Sequence, residues 1–155
     1  MTTNGIAVRD YEPIHQPWFE QLNRAWIEQY FVMEDVDRQV LQHPDEHILA
    51  KGGCILMAYY HNEIAGTVAL KNAQPGVFEF TKMAVSEKFR GLGIGKALAE
   101  AAIARAKSMG ATKIILYSSS KLSPALTLYQ KLGFTHVPVD GPYKRSDVKM
   151  ELNLS

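Results

Sequence analysis

The residues of this sequence best suited to chemistry begin with the turn Arg90-Gly91-Leu92-Gly93-Ile94-Gly95, followed by Lys96 and a helix-patterned stretch. The first amides of a helix have no intrahelical partner and stand at the positive end of its dipole. Glycines let main chain approach a phosphate closely, and an arginine adds charge-assisted hydrogen bonds. The turn therefore reads as an anion cradle. It is not a P-loop, which needs glycine where Arg90 stands and Ser or Thr where Ala97 stands. Nor is it a dinucleotide fingerprint, whose third glycine is replaced by Lys96 or Leu98 depending on where the count starts. From glycine spacing alone, a tight strand-to-helix turn that binds nothing stays open.

Glu79 is a candidate base. It lies between Phe78 and Phe80, and desolvation there would raise its pKa toward neutrality. Strand alternation equally allows it to face solvent. His15, His43, His47, His61 and His136 are scattered without ligand spacing, so no metal site is expected. The single cysteine, Cys54, sits in the apolar run Cys54-Ile55-Leu56-Met57-Ala58 and reads as a packed thiol.

The elements that must position these groups follow from the hydrophobic pattern. Ile6 to Tyr11 reads as a strand, and Pro17 to Tyr30 as a helix with Trp18, Leu22, Ala25, Trp26 and Ile27 at helical spacing. A short helix from Glu34 to Gln42 is stopped by Pro44. Cys54 to Tyr60 and Ile64 to Leu70 form a hairpin across His61-Asn62-Glu63, and Pro75-Gly76 turns into a strand from Val77 to Val85. Gly93 to Met109 is the clearest helix, with Ile94, Ala97, Leu98, Ala101, Ala102 and Met109 on one face and Gly110 as its cap. Lys113 to Tyr117 is a buried strand. Ser123 as N-cap, Pro124 and Gly133 frame a helix carrying Ala125, Leu128, Tyr129 and Leu132. Phe134 to Val137 and Val148 to Leu154 are the last strands. The order β-α-α-β-β-β-α-β-α-β-β gives an α/β fold with a mixed sheet.

Composition sets the outer limits. At 155 residues, 46% of them hydrophobic, the chain reads as one domain over residues 1–155. Seventeen Lys and Arg against sixteen Asp and Glu give no basic surplus for nucleic acid. No apolar run approaches the ~20 residues needed to cross a bilayer. The N-terminus lacks the pattern of a signal peptide, and a cytoplasmic location is expected.

Taken with its surroundings, the turn resembles the cofactor signature of the GCN5-related N-acetyltransferase (GNAT) superfamily, Arg/Gln-x-x-Gly-x-Gly/Ala at the start of the third helix, through Arg90, Gly93 and Gly95. The strand Thr81-Lys82-Met83-Ala84-Val85 resembles the family's fourth strand, and Leu128-Tyr129-Gln130-Lys131-Leu132-Gly133-Phe134 its fourth-helix motif. These segments span roughly Glu79 to Phe134. One position departs: many members carry Asn seven residues before the tyrosine, where this chain has Leu122. The resemblance passes that residue's task of orienting the cofactor to Ser119, Ser120 or a main-chain group.

The resemblance implies a mostly antiparallel sheet, splayed at the cofactor site, with flanking helices. It implies acetyl-CoA as cofactor, its pantetheine arm against Met83, Ala84 and Val85. The pyrophosphate falls on Arg90, Gly91, Leu92, Gly93, Ile94, Gly95 and Lys96, with Ser120 and Tyr129 alongside. Tyr129 becomes the general acid toward the thioester sulfur, although its position also suits a core aromatic. Glu79 becomes the base, and the N–H of Met83 or Val85 polarises the carbonyl. The acceptor side falls to the first two helices and the loop before the last strand: Tyr30, Phe31 and Glu34, then Tyr143, Lys144 and Arg145. An acidic Glu34 suits an amine and Arg145 a carboxylate. The expected reaction is acetyl transfer to a primary amine, of a small molecule first. A protein N-terminal or lysine acetyltransferase, or a silent acyl-CoA-binding domain, stays open, as does a homodimer.

Overall fold

A computed structural model of the chain describes residues 2–3, 5–140 and 145–154. The elements are β1 (Thr2–Thr3), β2 (Ile6–Asp10), α1 (Gln16–Tyr30), α2 (Asp35–Gln42), α3 (Pro44–His47), β3 (Cys54–Tyr60), β4 (Glu63–Gln74), β5 (Val77–Val85), α4 (Ile94–Ser108), β6 (Lys113–Ser118), α5 (Ser123–Lys131), β7 (Thr135–Val137) and β8 (Val148–Asn153). The strands form one sheet in the order β1-β2-β3-β4-β5-β6-β8-β7. Every neighbouring pair is antiparallel except β5 with β6, which α4 joins as a parallel crossover.

Two apolar clusters cover the two faces. One gathers Leu98, Ala102 and Ala106 of α4 with Phe78 and Phe80 of β5, Leu116 of β6 and Tyr129 of α5. The other packs Phe19 and Ile27 of α1 and Val40 and Leu41 of α2 on Ile55, Met57 and Ala69. Alternate strand residues feed the two layers, as the pleat requires. Helix α4 lies close on β4 because Gly66 has no side chain. A Cβ there would come within 2.9 Å of the Ala84 carbonyl and 3.0 Å of Leu98.

Several expectations change in detail. The buried line of α1 is Phe19, Asn23 and Ile27, while Trp18 is 48% exposed and Ala25 is exposed. Polar Asn23 hides this stripe from a hydrophobic count: its amide donates to the Phe19 carbonyl and its oxygen accepts from the Trp26 indole. Met109 projects past the end of α4 and is exposed. Ser123 is not the N-cap of α5; Leu122 holds that position, and Ser123 with Pro124 begins the helix. Pro44 ends α2 but also opens the short α3, where a missing N–H costs nothing.

Candidate active site

The sheet opens where its one parallel pair ends. Strand β5 pairs with β6 from Val77↔Lys113 to Phe80↔Leu116 and no further. Past Phe80 the two strands part, leaving Thr81–Val85 without a strand partner on that side. A cavity of about 370 Å³ fills the gap, with Met83, Ala84 and Val85 along one wall and Ser118, Ser119 and Tyr129 among those on the other.

Of the glycine turn, Arg90 lines this cavity and Gly91–Lys96 do not. Gly91 and Gly93 have φ of 80° and 85°, a region costly for residues with a Cβ. A Cβ at either would meet no protein atom within 4 Å. Glycine is thus required there by conformation, and the space above it is open. Gly93 caps α4 with no side-chain hydrogen bond, and the first amide bonded back within the turn is that of Ala97, to the Gly93 carbonyl. The amides of Ile94, Gly95 and Lys96 are the ones a helix start leaves for an external acceptor. Ile94 offers only its main chain, since its side chain is in the core. Leu92 and Lys96 are exposed, and Arg90, half exposed and 3.9 Å from Glu87, lines the cavity.

Tyr129 reconciles its two readings. Its ring is 7% exposed and makes edge contacts with Phe80 (centroids 5.6 Å) and packs against Phe134 (5.9 Å), yet the residue lines the cavity. Burial pushes its phenol well above the ordinary value, so it keeps its proton. Such a group can donate a proton but is a poor base. Glu79 is also buried, at 6% exposure, but is not among the cavity-lining residues. It sits close enough to influence both Lys82 and Tyr117 electrostatically.

The polar bridge across the loops separates the candidates for the missing asparagine. The amide and hydroxyl of Ser120 both donate to Asp147, at 2.8 and 2.6 Å, and Ser120 does not line the cavity. Ser119 does, buried, with its hydroxyl accepting from the Lys121 amide.

Tyr30, Phe31 and Arg145, named above for the acceptor side, line the same cavity, together with Trp26 and Lys121. Tyr143 and Lys144 lie outside the described residues. Glu34 does not line the cavity; it accepts from Arg145 at 3.1 Å. Behind Arg145 is a cluster that sequence reading missed. Asp37 is fully buried and accepts from Lys82 Nζ (2.8 Å) and from both terminal nitrogens of Arg145 (2.6 and 2.9 Å). Burial works to raise the Asp37 pKa, but the hydrogen bonds from Arg145 and Lys82 overcome it and hold the carboxyl at about 2. Burial pulls Lys82 below the usual lysine value, against the attraction of Asp37.

Lys82 reaches that carboxylate because β5 bulges. Thr67 pairs with Ala84 and Ala69 with Thr81, so Val68 alone opposes Lys82 and Met83, and Lys82 takes a φ of 54°. A regular strand would send Lys82 to the same face as Phe78 and Phe80, away from α2. The extra residue reverses that parity. The only available signal was a lysine beside Thr81 and Glu79 in a strand of otherwise apolar residues. Among the described residues, no group of three or more His, Cys, Asp or Glu side chains is placed to hold a metal, and no helix is long and apolar enough to cross a membrane.

Solved structures share this architecture. An acetyltransferase of the GNAT family from Staphylococcus aureus superposes with a TM-score of 0.87 at 21% identity, over 97% of this chain and 99% of that one. The yncA protein of Salmonella typhimurium, with its cofactor acetyl-CoA, gives 0.77 at 16% identity over 98% and 95%. The PaiA N-acetyltransferase of Thermoplasma acidophilum, in complex with coenzyme A, gives 0.74 at 19% over 96% and 99%. Among curated proteins, a mycothiol acetyltransferase of Thermobispora bispora is 27% identical over 91% of this chain and 50% of its own length. An N-acetylaspartate synthetase of Xenopus tropicalis is 31% identical over 69% of the chain and 37% of its own length. The chain spans about half or less of the length of these two relatives. Residues 16–134 match the Acetyltransferase (GNAT) family, and the chain, with the signature turn and the parted strands in their places, belongs to it.

Proposed function

We propose that this chain, acting as one domain over residues 1–155, transfers an acetyl group from acetyl-CoA to a primary amine of a small molecule, by direct attack in a ternary complex. One observation carries the reading: β5 and β6 part past Phe80, and the cavity between them is lined at once by Arg90 of the signature turn, by Met83–Val85 and by the buried Tyr129. The fit to an acyl-CoA is supported by the turn, where a Cβ on Gly91 or Gly93 would enter open space. The amides of Ile94, Gly95 and Lys96 with Arg90 would hold the pyrophosphate, and the main chain of Met83–Val85 the pantetheine amides.

Bound there, acetyl-CoA supplies an activated thioester. The N–H of Met83 or Val85 polarises its carbonyl as the amine nitrogen attacks and negative charge grows on oxygen. Tyr129 gives its proton to the sulfur as the carbon–sulfur bond breaks. The attacking amine, protonated in water near neutral pH, gives up its proton to Glu79 through water, or to bulk solvent. Ser119 takes the place of the family's asparagine in steadying the thiol end.

Calorimetric titration with acetyl-CoA, followed by thiol release across amines, amino acids and peptides, tests the reading. Binding with turnover on small amines supports it, and turnover on peptides alone makes the chain a protein acetyltransferase. Binding without turnover on any of them makes it a silent acyl-CoA domain; no binding removes the central claim.

A further inference from the structure

The acceptor end of the cavity has a one-sided charge. Lys82, Lys121 and Arg145 line it, and among the described residues no Asp or Glu does. The undescribed stretch 141–144 is Gly-Pro-Tyr-Lys, which adds no carboxylate. Asp37 is fully buried, and Glu34 stands with it against Arg145. Both acids fix the guanidinium and, two carboxylates against the two cations Lys82 and Arg145, balance this cluster, so Lys121 is the cation that gives the acceptor end its net sign.

Two of the cations converge on one ring. Lys121 Nζ is 5.2 Å from the centre of Phe31, and Arg145 Cζ is 5.8 Å from the same centre. Arg145 is also 5.9 Å from the Trp26 ring. Among the described residues, no carboxylate lies within ion-pair distance of the exposed Lys121, although its charge reaches Asp147, which Ser120 already engages. Arg145 is balanced by Asp37 and Glu34, whereas Lys121 brings its charge to the same ring unbalanced by an ion pair. A cationic amine with no other charge would meet Lys121 directly, and an anion would pair with it.

We propose that the acceptor is a primary amine of amino-acid size that also carries a carboxylate, held by Lys121 and Arg145 over Phe31. This rests on the acetyltransferase reading above and narrows it. Arg145, whose two terminal nitrogens both donate to Asp37, is held in one place against the cavity. Lys121 supplies a mobile second charge. Lys82, spent on Asp37, positions Arg145 through that shared carboxylate.

The test compares each free L-amino acid with its own α-amide as acceptor, with acetyl-CoA affinity measured separately by calorimetry. The free acids should lead their amides in kcat/KM by about tenfold or more, the scale of a hydrogen bond to a charged group. That lead should shrink to about threefold or less in Lys121→Glu, and raising salt should lower it in the unaltered protein. Lys107→Glu, at the exposed end of α4 and away from the cavity, should keep the full lead. Amides equal to or better than acids overturn the proposal, as does a preference for an uncharged amine or a polyamine, or no turnover of any free acid. A preference for phosphoethanolamine over β-alanine would replace the carboxylate by a phosphate. If acetyl-CoA binds but acids are not preferred, only this inference falls; if acetyl-CoA does not bind, the acetyltransferase reading falls with it.

Discussion

The two ends of the cavity are built in opposite ways. The proposed donor end is one contiguous stretch, Arg90 to Lys96, in which Gly91 and Gly93 are demanded by backbone conformation and main-chain amides would be the ligand groups. The acceptor end is assembled from residues 45 and 108 positions apart, Lys82 and Arg145 meeting on Asp37. The first is local and recurs as a motif wherever an anion must be held. The second depends on helix α2, a bulge in β5 and the loop before β8 coming together, and so is free to differ from one relative to the next. A donor site written in adjacent residues and an acceptor site written in contacts allow one fold to keep its cofactor while changing its substrate.

The comparison breaks most visibly at Asp37. Replacing it by Ala leaves Lys82 and Arg145 facing each other in a buried site, and the expected loss is about 4 kcal/mol, read by urea denaturation. A loss below about 1 kcal/mol would show that the cluster is not a keystone of the acceptor end. The donor end should respond differently. Tyr129→Phe keeps the ring packing and removes only the hydroxyl, so kcat should fall about 100-fold while calorimetric acetyl-CoA affinity stays within about twofold. Unchanged turnover would rule out the acid role.

Acid provides a milder probe of the same cluster. The Asp37 pKa is depressed to about 2 in the folded protein, against about 4 in an unfolded chain. Its contribution is therefore complete above about pH 4 and is lost as the pH falls from about 4 toward 2, amounting to about 2 kcal/mol. Denaturation curves of the unaltered protein and of Asp37→Asn should converge as the pH is lowered; parallel curves would refute the linkage. The smallest effect belongs to Gly93→Ala. The added Cβ meets no protein atom, but φ is strained by about 1 kcal/mol. Acetyl-CoA affinity should weaken by about tenfold with the fold intact. An unaltered affinity would remove the turn from the cofactor site.

Legibility in the sequence divides along the same line. The strand and helix order, the crossover helix α4 and the turn before it were readable because they follow from short-range pattern and from glycine. Tyr129 was readable through its own motif, and the structure shows its ring in the core and its side chain on the cavity at once. The buried line of α1 was not, because Asn23 interrupts it. Ser119 and Ser120 could not be told apart until Asp147 was seen to engage Ser120. Glu34 has the right charge for an amine, but only the fold reveals that Arg145 already uses it.

What the sequence alone determined was the glycine turn at the start of α4, because positive-φ glycines and unpaired helix amides are consequences of neighbouring residues. What only the tertiary structure decided was the buried meeting of Asp37, Lys82 and Arg145. One extra residue in β5 reverses the side on which Lys82 emerges, and that reversal brings it to a carboxylate 45 positions back in the chain. Side-chain parity after a bulge depends on the partner strand, and no count along a single strand contains it.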